Sequence, residues 1–323
     1  MMTMSERTGL LGLAIALCIP AAGASAHVTA AAKAPAKATQ THRFGVIGHS
    51  FGKGGGAPQL EQSLGKMNDH ELVFVVAVGV KGKWEGCSDA LYSKRRDMID
   101  KARRPVVVLP AASDWADCKN SAGRPLGVER LNRLRETFYP GAESLGKAPL
   151  EVSRMSSNPT FRSYAENAYW VYRKVLYATV NVPSNNNLFR PEAGRNNEYE
   201  DRMVANRFWI NRLFEQARRK KLEAVVLFTE GDIGILNKEP GMLARFRARP
   251  TTQDGYAPVR RQIDALAEKF TGKVLLVDTA PSANGTEPGI AWKKNIGHAS
   301  IGARAMHVQV SPDEEPFFAL DQP

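Results

Sequence analysis

The chain has 323 residues, of which 43% are hydrophobic, enough for a folded core, and its 44 Lys and Arg against 33 Asp and Glu give a formal net charge of +11. This excess favours anionic partners, either a phosphorylated small molecule or a polyanion of the cell envelope. The basic residues are scattered, and no nucleic-acid module with interleaved aromatic residues is present, which argues against a specific nucleic-acid partner.

The amino terminus has the pattern of a secretory signal peptide. Arg7 precedes an apolar stretch at residues 10–19, and small residues follow at 24–26. The apolar stretch is too short to cross a bilayer, and no later one is longer, so we predict cleavage after residue 26 and no transmembrane segment. We therefore expect a bacterial protein that is periplasmic or secreted.

Residues 27–42 are rich in Ala, Lys and Pro and lack apolar periodicity, which predicts a disordered tether. The remaining residues, 43–323, suit one large domain. Continuous apolar runs there predict buried strands, and amphipathic runs predict helices. In chain order we predict a strand at 44–47, a helix at 58–67, a strand at 72–80, a helix at 88–102, a strand at 105–109, a helix at 127–138, two strands within 169–182, a helix at 197–221, a strand at 224–228, a helix at 259–270, and strands at 273–277 and 307–310. This alternation predicts an α/β fold whose sheets are covered by helices.

The cysteines predict one disulfide. Cys18 is lost with the signal peptide, which leaves Cys87 and Cys118 as an even pair in an oxidising compartment. Each follows a predicted strand, and these two strands are expected to be neighbours in a sheet. The bond would close a loop of roughly 30 residues and contribute about 3 kcal/mol in the chain-entropy model.

Polar residues follow several of the predicted strands, at the edge where parallel sheets bind ligands. They form ordered blocks: Lys81, Cys87-Ser88-Asp89, Asp114 to Cys118, Ser184 to Asn187, and Arg202, Asn206 and Trp209 on the following helix. Together these blocks resemble the calcineurin-like metallophosphoesterases, most closely a bacterial exported subgroup with a Cys-Thr-Asp and an Asn-Glu-Trp-Thr-Asp-Cys block. The resemblance covers residues 44–318. It implies a four-layered α/β/β/α sandwich and phosphoester hydrolysis by two divalent metal ions, Mn, Zn or Fe.

Most metal-ligand positions implied by the resemblance are substituted. His49 stands in place of the first Asp, Gly79 in place of the bridging Asp, and Ser113 in place of Asn, while Asp278 is not followed by the family's histidines. A bridging carboxylate neutralises charge between two dications, which neither glycine nor a hydroxyl can do. The resemblance therefore implies a weak or inactive phosphoester hydrolase.

The residues expected to bind an anionic ligand in such a protein are Lys81, Asn185 and Asn186. The Asn-rich turn also suits left-handed backbone geometry, which Asn tolerates. Asp89 begins a predicted helix, where we expect it to act as the amino-terminal cap.

One alternative is an active phosphoesterase with an atypical metal site. Its catalytic candidates are His49 and Asp114, and its candidate metal ligands are His49, Asp114 and Asp278. The further polar groups expected near the same cleft are Asp117, Asp232 and His298, and a mixture of His and carboxylates suits zinc or manganese.

The second alternative is a serine esterase. The segment Gly48-His49-Ser50-Phe51-Gly52 matches a G-x-S-x-G nucleophile elbow, with Ser50 as the nucleophile. Asp278 and His298 follow in the chain order of α/β-hydrolases. Against this interpretation, the elbow normally lies well inside a domain, after strands that supply the second oxyanion-hole amide, whereas here the motif follows the first predicted strand of the domain. The glycine-rich run after Phe51 also disfavours the helix that an elbow requires.

Overall fold

The computed structural model describes residues 41–48, 56–68, 71–192, 194, 196–237, 253–281 and 287–322. Its helices and strands alternate as predicted and build an α/β fold from two mixed sheets. The predicted signal peptide and nearly all of the predicted tether lie outside the described residues. The same is true of His49 and Ser50, so the predictions for these two residues lie outside the part of the chain that the structure describes.

In the described part of the chain the first sheet has five strands: β1 (His42–Ile47), β2 (Val75–Val78), β3 (Val106–Leu109), β11 (Ala305–Val310) and β12 (Phe318–Asp321). Their order is β12-β11-β1-β2-β3. Strands β1, β2 and β3 are parallel, whereas β11 and β12 are antiparallel to their neighbours. The carboxyl ends of the three parallel strands therefore meet at one edge of the sheet.

The second sheet has seven strands among the described residues: β4 (Ser153–Arg154), β5 (Ala168–Tyr172), β6 (Val175–Thr179), β7 (Ala224–Phe228), β8 (Lys273–Asp278), β9 (Ala291–Lys293) and β10 (Ile296–Ser300). Their order is β4-β5-β6-β7-β8-β10-β9. Strands β6, β7, β8 and β10 are parallel. The two strands predicted within 169–182 are confirmed as the antiparallel hairpin β5–β6.

The described helices are α1 (Ala57–Asn68), α2 (Asp89–Asp100), α3 (Gly127–Phe138), the single turn α4 (Ser184–Asn187), α5 (Asn197–Arg219) and α6 (Ala257–Glu268). Within the described part of the chain, none of them combines the length and the apolar character needed to cross a bilayer.

The predicted capping role of Asp89 is wrong. Ser88 is the amino-terminal cap of α2, and its hydroxyl accepts a hydrogen bond of 3.2 Å from the Leu91 amide. Asp89 is the first helical residue, and its carboxylate instead pairs with Arg130 and Arg133 of α3, at 2.8 and 3.1 Å. The acidic side chain therefore links two helices.

Alternate residues of the central strands pack into different cores, which explains why these strands are apolar throughout. In β7, Val226 and Phe228 pack into a core shared by both sheets, whereas Val225 and Leu227 pack with α5 and α6. A third core lies between the five-stranded sheet and the helices α1, α2 and α3. A strand with two buried faces needs apolar residues at every position.

The predicted disulfide is confirmed. Cys87 and Cys118 are bonded, with 6.0 Å between their Cα atoms and 31 residues of sequence separation. The bond joins the segment after β2 to the segment after β3, at the edge where the parallel strands end.

Candidate functional site

The loops that follow strands of both sheets meet at Glu230, directly after β7. Its carboxylate accepts hydrogen bonds from the Ala112 amide at 2.6 Å, and from the amide and hydroxyl of Ser184, both at 2.9 Å. The Thr279 amide donates to its backbone carbonyl at 3.2 Å. Ala112 follows β3 of the first sheet, whereas Ser184 and Thr279 follow β6 and β8 of the second. The carboxyl ends of the two sheets therefore share one edge, where ligands of parallel sheets are expected.

Asp114 is completely buried at this edge, and backbone amides donate hydrogen bonds to both oxygens of its carboxylate. Its Oδ1 accepts from the amides of Val80 and Lys81, both at 3.0 Å. Its Oδ2 accepts from Val80 at 3.1 Å and from Ala111 at 2.8 Å. A buried carboxylate is stable when donors occupy its lone pairs, and here those donors hold the end of β2 against the end of β3.

Lys81, whose backbone amide donates to Asp114, has a buried side chain. The residue is 1% exposed, and its Nζ donates to the Gly82 carbonyl at 2.9 Å. Loss of hydration lowers the pKa of Lys81, and the negative charges of Asp114, Glu85 and Asp117 partly oppose this. The structure thus places this predicted ligand-binding residue inside the protein, next to the buried carboxylate.

The Asn-rich turn after β6 has left-handed geometry over four successive residues, as the sequence predicted for its asparagines. Their φ angles are +59° at Asn185, +57° at Asn186, +56° at Asn187 and +58° at Leu188. The left-handed conformation costs free energy for every L-residue with a side chain, and Asn is among the residues for which this cost is smallest. Such backbone persists only when the surrounding structure fixes it.

A buried arginine fixes this turn. Arg202 of α5 donates to the side chain of Asn187 and, at 3.0 Å, to its backbone carbonyl, and it pairs with Glu198 at 2.8 Å. Asn206 and Trp209, on the same helix, donate to backbone carbonyls next to the end of β6, at 2.8 and 3.1 Å. The helical block of the family resemblance therefore supports the loop after β6.

The two asparagines predicted to bind a ligand differ in their contacts. The amide group of Asn186 donates to the Gln253 carbonyl at 3.0 Å and accepts from the Gly255 amide at 2.8 Å. Asn186 therefore joins the turn to residues 253–255. Asn185 is exposed at the tip of the turn.

Three predicted polar residues converge at a second place on this edge. Asp232, Asp278 and His298 each offer one ligand atom, and these atoms lie within 4.8 Å of one another. The Nε2 atom of His298 lies 2.5 Å from Oδ2 of Asp278 and 3.4 Å from Oδ1 of Asp232. Asp278 ends β8, His298 lies on the adjacent β10, and Asp232 follows β7. Within the described chain, Asp114 is not part of this group.

Burial and charge act in opposite directions within this group. Burial raises the pKa of Asp278, and the hydrogen bond from His298 opposes that rise. Burial alone would lower the pKa of His298, but the hydrogen bond and charge of Asp278, together with the charge of Asp232, raise it overall. The imidazole of His298 therefore keeps its proton to a higher pH than a free histidine does.

Gly79 occupies the position where the resemblance places a bridging Asp. Its φ angle is +80°, a backbone conformation that residues with a side chain rarely adopt, and its amide donates to the Leu109 carbonyl at 2.8 Å. The positive φ angle required at the end of β2 therefore favours glycine at this position.

Sequence reasoning assigned no role to Glu230, which joins the loops of both sheets. The one indication in the sequence was that Glu230 closely follows a predicted buried strand. Many solvent-exposed residues follow strands in the same way, so this position alone does not identify a functional residue.

Comparison with known families and with curated proteins gives no match for this chain. The resemblance to metallophosphoesterases therefore remains a prediction that depends on the residues themselves.

Proposed function

We propose that this is an exported protein with the four-layered sandwich of the calcineurin-like metallophosphoesterases, in which the di-metal centre is replaced by structural hydrogen bonds. The three cores support this layering, because each sheet packs against the other on one face and against helices on the opposite face. The disulfide supports residence in the periplasm or outside the cell, since such bonds persist in oxidising compartments.

The hydrogen bonding of Asp114 is the observation that carries the proposal. A carboxylate has about four lone-pair sites, and here three backbone amides make four contacts with the two oxygens. A metal ligand must direct a lone pair at the ion, so this arrangement favours a structural role for Asp114. The left-handed backbone at Gly79 supports the same conclusion, because it disfavours a bridging carboxylate at that position.

The remaining function is the binding of an anionic ligand, a phosphorylated small molecule or an envelope polyanion, at the strand-end edge. The basic composition favours it, and cationic side chains lie on several of these loops. Lys83 follows β2 and Arg190 follows the Asn-rich turn, both exposed, and Arg304 follows β10 with partial exposure. Positive side chains around a shared edge attract anions without a metal.

The test combines hydrolysis with binding. With Mn²⁺ or Zn²⁺ present, we expect no metal-dependent hydrolysis of p-nitrophenyl phosphate, but binding of inorganic phosphate or polyphosphate that weakens as salt rises. The double variant Lys83→Gln, Arg190→Gln should weaken binding, whereas Lys220→Gln, at the far end of α5, should not. Metal-dependent turnover that is lost in His49→Ala would contradict the proposal and favour an active phosphoesterase.

The esterase alternative keeps one supporting observation, the hydrogen bond of 2.5 Å between Asp278 and His298. The nearest described hydroxyl is that of Ser300, 3.5 Å from His298 Nε2. Hydrolysis of p-nitrophenyl acetate that disappears in Ser50→Ala would favour this alternative over a phosphoesterase fold without hydrolytic activity.

A further inference from the structure

The group formed by Asp232, Asp278 and His298 is held in place by the backbone around it. Strands β8 and β10 are parallel neighbours, with Asp278 opposite Ser300 and Leu276 opposite His298, so two members stand on one sheet surface. The third, Asp232, follows the adjacent strand β7. The three residues therefore come from separate segments that the sheet brings together.

Hydrogen bonds orient both carboxylates. The Ala280 amide donates to Asp278 Oδ1 at 2.9 Å, which leaves Oδ2 directed at the imidazole. The Gly234 amide donates to Asp232 Oδ1 at 2.7 Å. Such outer contacts orient metal-binding side chains and are a regular part of metal sites.

The charges of the group are not balanced by its own residues. One imidazolium can neutralise one carboxylate, but two carboxylates face the same ring nitrogen. Among the described residues, His298 is the basic side chain that lies within salt-bridge distance of both Asp232 and Asp278. A divalent cation in place of the imidazole proton would neutralise both carboxylates.

The distances suit such an ion. Two donors about 2.1 Å from a tetrahedral zinc ion lie about 3.4 Å apart. The separation between His298 and Asp232 already has this value. The shorter separation between His298 and Asp278, 2.5 Å, must open by about 0.9 Å once an ion replaces the shared proton, which a small side-chain rotation provides.

We propose that Asp232, Asp278 and His298 form a mononuclear binding site for a divalent transition-metal ion, with zinc as the best fit. One imidazole and two carboxylates give the mixed nitrogen and oxygen donors that suit zinc and manganese better than calcium or magnesium. The site differs from the di-metal centre implied by the resemblance, because Asp232 and His298 lie outside that set of positions. One ion per chain is compatible with the loss of that centre.

The fourth coordination position opens toward solvent. Asp232 is 41% exposed and His298 14%, whereas Asp278, at 2%, closes the site from within. Metal sites with three protein ligands and an open position bind water or a substrate group there. The ion can therefore be loaded and removed without unfolding the protein.

The test uses the full chain without an affinity tag, stripped with a chelator and titrated with Zn²⁺ by calorimetry, with metal content measured after gel filtration. We expect one zinc ion per chain. Asp232→Asn and His298→Gln should each weaken zinc binding at least tenfold, since even the loss of an outer-shell contact has that effect. Asp232→Asn keeps the acceptor for the Gly234 amide, so the loop should be retained.

Asp264→Asn is the matched control, because it makes the same change of charge at an exposed position of α6. It should bind zinc like the parent. Zinc should also raise the melting temperature of the parent and of Asp264→Asn, but not that of Asp232→Asn. Absence of bound zinc in the parent would overturn the proposal. So would equal affinity in the parent, Asp232→Asn and His298→Gln, which would place the ion elsewhere.

Discussion

Replacement of Asp114 by alanine distinguishes a structural carboxylate from a metal ligand. The change leaves three buried amides, those of Val80, Lys81 and Ala111, without their acceptor. Each buried donor without a partner costs about 1–3 kcal/mol, and water entering the vacated space recovers part of this. We therefore expect the free energy of unfolding to fall by about 4 kcal/mol, a large part of the roughly 5–15 kcal/mol typical of a domain.

The assay is urea unfolding of the metal-free protein, followed by fluorescence and circular dichroism. Asp117→Ala is the control, because this exposed carboxylate lies close by and should change stability by less than about 1 kcal/mol. Removal of a ligand from an empty metal site would relieve repulsion between negative charges and leave stability unchanged or higher. Unchanged stability in metal-free Asp114→Ala would therefore refute the structural role of this carboxylate.

Three further changes have expected outcomes. Burial lowers the pKa of Lys81 in the folded state below its ordinary value of 10.5. At a pH between the folded and unfolded pKa, the folded state binds fewer protons than the unfolded state, so the free energy of unfolding rises with pH in that range. Lys81→Met should flatten this rise, measured by urea unfolding at a series of alkaline pH values. Gly79→Asp should add no second metal ion and should lower the free energy of unfolding by about 1–2 kcal/mol because the φ angle of Gly79 is positive, and Gly79→Asn should lose less in the same urea assay. Cys118→Ser should cost about 3 kcal/mol in urea unfolding under non-reducing conditions, and a reducing agent should cause the same loss in the parent but none in the variant.

The central strands could be predicted from the sequence because both of their faces are buried. Val75–Val78 and Val106–Leu109 are apolar at every position, and their short length and β-branched residues favour a buried strand over a buried helix. The hairpin at residues 169–182 followed from its alternating, β-branched and aromatic sequence. Strand β10 was not predicted, because Ile296–Ser300 contains Gly297, His298 and Ser300 and has neither pattern.

The sequence indicated the edge at which these candidate residues lie, but not how they are arranged there. Ends of parallel strands mark the edge where ligands bind, and Asp278 and His298 were recognised there as candidate residues. Their contact depends on the pairing of β8 with β10 across 20 residues, which no local pattern encodes. The same limit applies to Glu230, whose partner Ala112 is 118 residues away.

Three carboxylates at this edge are used in different ways, and the difference locates the remaining chemistry. Asp114 accepts from three backbone amides, and Glu230 accepts from two amides and a hydroxyl, so both carboxylates stabilise the loops that carry these donors. Asp278 directs one oxygen at an imidazole that a second carboxylate also faces. A carboxylate can exchange a proton or bind an ion only if it keeps a lone pair for that purpose. Among the described residues, the proposed zinc site therefore uses Asp278 and its two neighbours, Asp232 and His298.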